Sequence, residues 1–417
     1  MRLSTDIVFV SLGGVPMVGN PATGGIIGLA EEGARLCRRL AHEDVAPDSI
    51  PQGCRELVEH LQTGGYLEGA PEPQSGLESA YLHVTQRCNL SCRFCYSEDD
   101  GRNRLPDPTI DELCCAIELL AALGCARLVI SGGEPFLRDD LADIARHARA
   151  SGISNIIVLT NGLLVEEKNV RPLAGAVSCV AVAFDGISAQ STAHLRRTQN
   201  YDRLIAAVRT IGDAGIEPRI LPTLHARNLS DMARYQELAR ELNATLSYSL
   251  LTAAACDLEE FALDDQQLRE LGSRSAGNGA LVGDSLDERA PSLRVRRSCG
   301  AGARTLSIGA DGTIYPCQML HNRRFAMVNA FGDNPAAMAE SPVAKTFREL
   351  RVDSFEGCSS CDVRHLCGGG CRARAFLSTG SLTRRDPYCE LSRSYFEAIG
   401  EQLAQRFGTR GGEDHAV

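Results

Sequence analysis

From residue 80 to about 250 the chain alternates short apolar runs with longer stretches whose apolar residues recur at helical spacing. The runs AYLHVT, ARLVISG, NIIVLTNG, CVAVAFDG, EPRILPTL and ATLSYSLL have strand length and strand composition. Between them, TIDELCCAIELLAALG, DDLADIARHARASG, YDRLIAAVRTIGDAG and SDMARYQELARELN place apolar residues every three or four positions, as an amphipathic helix does. Six strand–helix repeats predict an α/β fold with a parallel sheet. The expected form is a partial (β/α)6 TIM-like barrel over residues 80–255, with its active site at the C-terminal ends of the strands.

The flanks read differently. In residues 1–70, DIVFVSLGGVPMVGN predicts a strand, a Gly-Gly turn and a second strand, while EEGARLCRRLAHE and PQGCRELVEHLQT predict helices. GGYLEG closes this small α+β domain as a short strand or wing. Residues 71–79, with PEPQSG, form a linker. Residues 256–295 are polar and Gly-rich, which predicts an irregular bridge. Cysteines dominate 296–392, where regular structure is thin, and 393–417 reads as a helix end followed by the disordered tail RFGTRGGEDHAV.

The composition is that of an ordinary globular chain: 417 residues, 44% hydrophobic and 23% charged. A net charge of −10 advertises no basic face, which argues against nucleic acid as a partner. No apolar run is long enough to span a bilayer, and MRLSTDIVFVSLGGVPMVG lacks a signal-peptide core, so a cytoplasmic protein without a membrane partner is expected. Seventeen cysteines change this picture. The number is odd and the chain is not read as secreted, so metal or cluster ligation explains them better than disulfides.

Cys88, Cys92 and Cys95 are spaced C-x3-C-x2-C directly after the first barrel strand, on the loop at the catalytic rim. Three thiolates suit three irons of a 4Fe–4S cluster and leave the fourth open. A zinc loop is the alternative, but a closed tetrahedral site needs a fourth ligand, and the next cysteine, Cys114, lies inside a helix. The second strand ends in Gly132-Gly133-Glu134-Pro135, which by itself also reads as a strand-end turn. Asn161 and Asp185 end the third and fourth strands. Further on stand Cys299, Gly312-x4-Cys317, Cys358-x2-Cys361-x5-Cys367-x3-Cys371 and Cys389, with a pair of zinc ribbons as the alternative to clusters. Cys37, Cys54, Cys114, Cys115, Cys125, Cys179 and Cys256 read mostly as small core side chains. The nine histidines form no spaced pair and receive no role.

C-x3-C-x-aromatic-C, with Phe94 as the aromatic, resembles the radical SAM superfamily. The resemblance implies that the open iron chelates S-adenosylmethionine, and that an electron from the cluster splits it to a 5′-deoxyadenosyl radical that abstracts hydrogen from substrate. Gly132, Gly133, Glu134 and Pro135 resemble the family's GGEP motif, in which glycines let backbone approach the SAM ammonium. Asn161 and Asp185 are similar to positions near the ribose and carboxylate of SAM. Ala183 stands where the family often has Ser, and Arg196, or Arg197 beside it, resembles an Arg that pairs with the carboxylate.

The seven-cysteine pattern resembles the SPASM extension of peptide- and protein-modifying radical SAM enzymes. It implies two auxiliary clusters, three 4Fe–4S clusters in all: one on Cys358, Cys361, Cys367 and Cys389, the other on Cys299, Cys317 and Cys371. Some relatives carry an eighth cysteine just before Cys299. Here PSLRVRRS has none, leaving distant Cys256 or an open iron that a substrate thiolate would occupy. Residues 1–70 resemble the winged-helix-like RiPP recognition element, similar to the peptide chaperone of pyrroloquinoline quinone biosynthesis, which takes a leader peptide as an added strand. A DNA-binding winged helix is the rival, but RELVEHLQT lacks a basic stripe.

Together these resemblances imply a maturase of ribosomally made peptides that installs a thioether or carbon–carbon cross-link. It would draw electrons from a low-potential donor such as flavodoxin or ferredoxin. A formylglycine-forming enzyme of the anaerobic sulfatase-maturing type and a non-catalytic iron–sulfur protein are the alternatives.

Overall fold

The computed structural model describes residues 1–71, 76–92, 95–97, 103–191, 194–196, 200–252, 260–277, 293–332 and 334–407. The N-terminal part builds an antiparallel sheet of β1 (Val8–Leu12), β2 (Val15–Asn20) and β3 (Gly25–Gly28). The β1–β2 turn is Gly13-Gly14, both at positive φ, where glycine carries no steric penalty. The third strand, GIIG, was not expected. The sheet packs Val18 against Leu36, Leu40 and Leu61 of helices α1 (Glu31–His42) and α2 (Arg55–Thr63). The wing expected from GGYLEG is reduced to a single bridge between Leu67 and Leu3.

The central sheet follows the expected order. Strands β4 (Ser79–His83), β5 (Arg127–Ser131), β6 (Asn155–Thr160), β7 (Cys179–Phe184) and β8 (Glu217–Leu224) lie side by side and parallel. The sixth run is broken into β9 (Thr245–Leu246) and β10 (Ser249–Leu250), both paired with β8. Helices α3 (Ile110–Ala122), α4 (Leu141–Ala150), α5 (Glu167–Val170), α6 (Tyr201–Asp213) and α7 (Met232–Glu241) connect the strands. Thr109 and Glu112 start α3 with a reciprocal capping box. Alternation sends Ala80, Leu82, Leu128, Ile130, Ile156 and Val158 under these helices. It sends Tyr81, Val129, Ile157, Ala181 and Leu221 to the opposite face, the lumen of the barrel.

The sheet does not stop at β4. β11 (Thr305–Ile308) pairs parallel with it, and β12 (Ile314–Tyr315) pairs antiparallel with β11. Among the described residues β10 and β12 end the sheet without meeting, so the barrel is open. Residues 296–392 thus cap the barrel from the β4 side.

Within the stretch read as an irregular bridge, the structure places α8 (Asp265–Gly277). Its start has a physical cause: Asp264 Oδ1 accepts from Gln267 N at 2.8 Å, and Gln267 Oε1 accepts from Asp264 N at 3.1 Å. Leu268 and Leu271 then bury one face. The cap holds α9 (Pro342–Glu349), α10 (Arg364–Cys367), α11 (Arg372–Thr379) and the long α12 (Cys389–Phe407). α8 and α12 touch at Gly272, where a Cβ would lie 2.1 Å from Ser394 Oγ. α12 also packs on β1, and Gly13 meets Gly400 so closely that a Cβ on Gly13 would lie 1.9 Å from the Gly400 carbonyl oxygen. Linker residues 72–75, bridge residues 278–292 and tail residues 408–417 lie outside the described residues. Among the described residues no helix is long and apolar enough to cross a membrane.

Candidate functional site

The rim of the barrel is built around the turn after β4. Cys88, Cys92 and Cys95 are partly buried, and no disulfide engages them. Asn103 Oδ1 accepts from Cys88 N at 2.8 Å, which fixes the start of the loop. Phe94 lies outside the described residues. The second strand delivers Gly132 and Gly133 against the segment that leads into Cys88. Gly133 N donates to Thr85 O and Glu134 N to Arg87 O, each at 2.8 Å. A Cβ on Gly132 would sit 2.3 Å from Thr85 O, and one on Gly133 would sit 2.0 Å from Arg87 O. The expectation gave these glycines the task of letting backbone approach a ligand's ammonium group. The close contact with Thr85 and Arg87 is a second reason for glycine at both positions.

Glu134 has no exposed surface. Its Oε1 accepts from Thr160 Oγ1 at 2.7 Å and Phe136 N at 3.1 Å, and its Oε2 accepts from Asn161 N at 2.8 Å. Burial pushes its carboxyl above the usual carboxylate range, against the pull of these bonds and of Arg196. Glu134 therefore braces β5 to β6 as well as facing the rim. Pro135 opens the short 3-10 turn behind it. Asn161 continues the brace: its Nδ2 donates to Asn89 Oδ1 at 2.7 Å, tying the end of β6 to the cysteine loop.

Asp185, after β7, is 8% exposed and accepts from Leu195 N at 2.9 Å and Arg196 N at 3.3 Å. The Arg196 side chain sits in the combined field of Cys92, Asp185 and Glu134, where burial lowers its pKa against their attraction. Arg197 lies outside the described residues. Gly132 and Glu134 thus meet the segment that leads into Cys88, Asn161 meets Asn89 in the cysteine loop, and Asp185 holds the backbone of Arg196, whose side chain feels Cys92. Asn89 and Asn103 are additions that the sequence signalled only as loop residues.

In the cap, one cavity of about 350 Å³ is lined by Cys358, Cys361, Cys367 and Cys389. These are the four thiols that the resemblance groups together. Burial raises the Cys358 and Cys389 thiols and pushes Cys367 to about 11, so they would ionise only on binding a metal centre. Arg372 lowers Cys358 electrostatically, and Arg385 does the same for Cys389. Cys299, Cys317 and Cys371 border a second region, against an apolar nucleus of Leu320, Phe325, Phe347, Val352 and Phe355. The cap therefore has a hydrophobic centre of its own. Cys256 lies outside the described residues.

A buried ion pair joins the two thiol groups. Arg374 Nε and Nη2 donate to Asp386 Oδ1 and Oδ2 at 3.0 Å each. Asp386 Oδ2 also accepts from Cys371 N at 2.6 Å, and its Oδ1 from Tyr388 N at 2.9 Å. Asp386 lines the four-thiol cavity, so one carboxylate contacts both regions.

Among the described residues no three His, Cys, Asp or Glu side chains close on a single point as they would around one metal ion. A tetrahedral zinc site needs that convergence. A cubane distributes its thiolates over separate irons, so cysteines spread around a cavity fit iron–sulfur clusters.

Comparison with known proteins follows this geometry. Residues 82–239 match the Radical SAM superfamily, and residues 299–362 match SPASM, an iron–sulfur cluster-binding domain. The mycofactocin maturase MftC of Mycobacterium tuberculosis is 28% identical over 321 residues, 73% of this chain and 81% of that protein. The PqqA peptide cyclase of Granulibacter bethesdensis is 25% identical over 350 residues, 78% of this chain and 89% of that one. An AdoMet-dependent heme synthase of Methanosarcina barkeri is 25% identical over 353 residues, 73% and 94% respectively. Two solved structures share the fold. Streptococcus suis SuiB bound to precursor peptide SuiA has a TM-score of 0.61 and 16% identity, covering 93% of this chain and 99% of that one. Native anSMEcpe with bound AdoMet has a TM-score of 0.63 and 17% identity, covering 79% and 98%.

Proposed function

We propose that this chain, an enzyme with a radical SAM domain and a SPASM iron–sulfur domain, matures a ribosomally made precursor peptide by installing a cross-link, with a thioether favoured over a carbon–carbon bond. The enzyme type rests on the two domain matches, which carry S-adenosylmethionine and iron–sulfur clusters as cofactors. The observation that carries the peptide reading is the N-terminal domain. Residues 1–70 hold their own apolar core and present an antiparallel sheet with two edges. α12 covers the β1 side. Among the described residues no strand pairs with the outer edge of β3, where Ile26 and Ile27 are half-buried. A leader peptide would add there as a strand, with backbone bonds giving affinity and side-chain pockets giving choice. Relatives named as a mycofactocin maturase and a PqqA peptide cyclase support this reading over the heme synthase.

In this reading Cys88, Cys92 and Cys95 hold three irons of the first 4Fe–4S cluster. Gly132, Gly133, Pro135, Asn161, Asp185 and Arg196 shape the S-adenosylmethionine site, with Phe94 in the same loop. When bound, these cofactors supply a 5′-deoxyadenosyl radical that takes a hydrogen atom from the peptide. Glu134 holds Asn161 in place, and Asp185 orients Arg196 through two backbone N–H groups. Cys358, Cys361, Cys367 and Cys389 hold one auxiliary cluster. Cys299, Cys317 and Cys371 hold a second, bringing the total to three. A low-potential donor such as flavodoxin or ferredoxin supplies electrons.

The test uses the anaerobically reconstituted full chain with S-adenosylmethionine, a reductant and the short peptide encoded beside its gene. The expected result is 5′-deoxyadenosine together with a peptide lighter by two hydrogens. Full activity on a peptide lacking its leader would favour the sulfatase-maturing type. Absence of 5′-deoxyadenosine would return the non-catalytic alternative.

A further inference from the structure

Two histidines far apart in sequence meet in the barrel lumen. His83, at the end of β4, is 0% exposed, and neither of its ring nitrogens has a hydrogen-bond partner. It shares the lumen face with Tyr81 through the strand's alternation. His321 comes from the cap, one 3-10 turn after Cys317. The two rings lie 4.4 Å apart at 34°. Tyr315 stacks on the other face of His321 at 4.4 Å, and Tyr96 approaches His83 edge-on at 5.8 Å. His321 Nε2 meets Ser307 Oγ at 2.7 Å. His321 is partly exposed, whereas His83 lies wholly behind it. Burial lowers His321 to about 4, against the opposing influence of Asp311, so both imidazoles are neutral near pH 7.

A fully enclosed histidine without a partner is costly. A neutral imidazole carries a free ring lone pair, and the thiolate left when it takes a thiol proton raises its pKa as an opposite charge does, offsetting the burial. The proposed cross-linking needs one. A C–H bond and an S–H bond of the peptide break, and one C–S bond forms. One hydrogen leaves as an atom to the 5′-deoxyadenosyl radical. The other leaves as a proton, and one electron passes to an iron–sulfur centre of the cap, balancing the electron that a low-potential donor gave to split S-adenosylmethionine. We propose that His321, backed by His83 and oriented by Ser307, is the base that takes the thiol proton of the bound peptide in the lumen. This rests on the peptide cross-linking reading above. It adds a residue and a proton path that the cysteine motifs do not contain.

The test compares the wild-type holoenzyme with His321→Gln and with Ser307→Ala, which keeps the imidazole and removes its orienting partner. Iron content and the EPR signals of the clusters are expected to match wild type, which separates a chemical role from a collapsed Cys317 loop. 5′-Deoxyadenosine formation continues in His321→Gln, while cross-linked product falls by about a hundredfold. In D2O the unlinked peptide returns with solvent deuterium at the attacked carbon, because an electron from the low-potential donor and a solvent deuteron quench its radical before the bond forms. Ser307→Ala gives a smaller loss with the same uncoupling. If His321→Gln yields cross-link and 5′-deoxyadenosine in the wild-type ratio, His321 is not the base. If the variant loses iron or its EPR signals, the residue supports the cluster site and the proposal fails. If wild-type enzyme cross-links no precursor peptide, the function falls, and this assignment with it.

Discussion

Single residues at the rim and in the cap carry more than one load. Glu134 accepts three hydrogen bonds with no exposed surface, so Glu134→Ala would leave Thr160, Asn161 and Phe136 with buried, unpaired donors. The expected destabilisation is about 3 kcal/mol, read as a lower denaturation midpoint. Asn161 would also release Asn89, so weaker S-adenosylmethionine binding is expected alongside. Asp386 is the corresponding residue of the cap. Burial raises its carboxyl, but Arg374 and two backbone N–H groups outweigh this and hold it below the ordinary Asp range. A depressed carboxylate stabilises the fold above the unfolded value, near pH 4, and this contribution is lost as pH falls through its own lower value. Asp386→Ala removes the carboxylate from a buried ion pair with Arg374, at a cost of about 3–5 kcal/mol. Iron is then expected to drop at both thiol groups together, measured per chain after reconstitution. Loss from the four-thiol cavity alone would show that the carboxylate does not link the two. The cysteine spacings and the GGEP stretch were legible as motifs because each is a short local pattern in the sequence. Asp386, Asn89 and the His83–His321 pair were not, because each depends on a meeting across the fold that no local pattern records.

At the scale of elements, close approach decides where glycine stands. Gly272 lets α8 and α12 touch, and a side chain there would strike Ser394 Oγ and Leu391 O. Gly272→Val is expected to part the two helices and cost about 1–3 kcal/mol in thermal or denaturant unfolding. An unchanged midpoint would mean that the helices shift freely to accept the methyl groups. Five of the six barrel strands were readable as whole runs because both faces of a parallel strand are buried and the sequence is predominantly apolar and rich in β-branched residues. The sixth run was read as one strand but splits around Ser247 and Tyr248. β3 was missed because GIIG, flanked by glycine, resembles a turn. α8 was missed although Asp264 and Gln267 spell its cap, because its polar composition hid a narrow apolar face.

At the scale of the whole molecule, the cap is wired into the other two parts by different means. β11 extends the barrel sheet at β4 through backbone bonds. α12 reaches the N-terminal sheet through side chains, with Val10, Leu12 and Met17 meeting Tyr395 and Phe396. Cys389, on the wall of the four-thiol cavity, is the first residue of that helix. Gly400, on the same helix, touches the turn between β1 and β2. The run from Cys389 to Gly400 spans about 16 Å as a rigid rod at roughly 1.5 Å per residue. Under the proposed function that rod would act as a caliper: one jaw rests on the β1–β2 turn of the sheet whose far edge would take the leader, the other on the cap cavity where an electron would be collected. Its length would set how many amino acids of the peptide lie between its anchor and its altered site. Adding one helical turn between those two residues should move the cross-link along the peptide rather than abolish it, and tandem mass spectrometry of the product would show the new position.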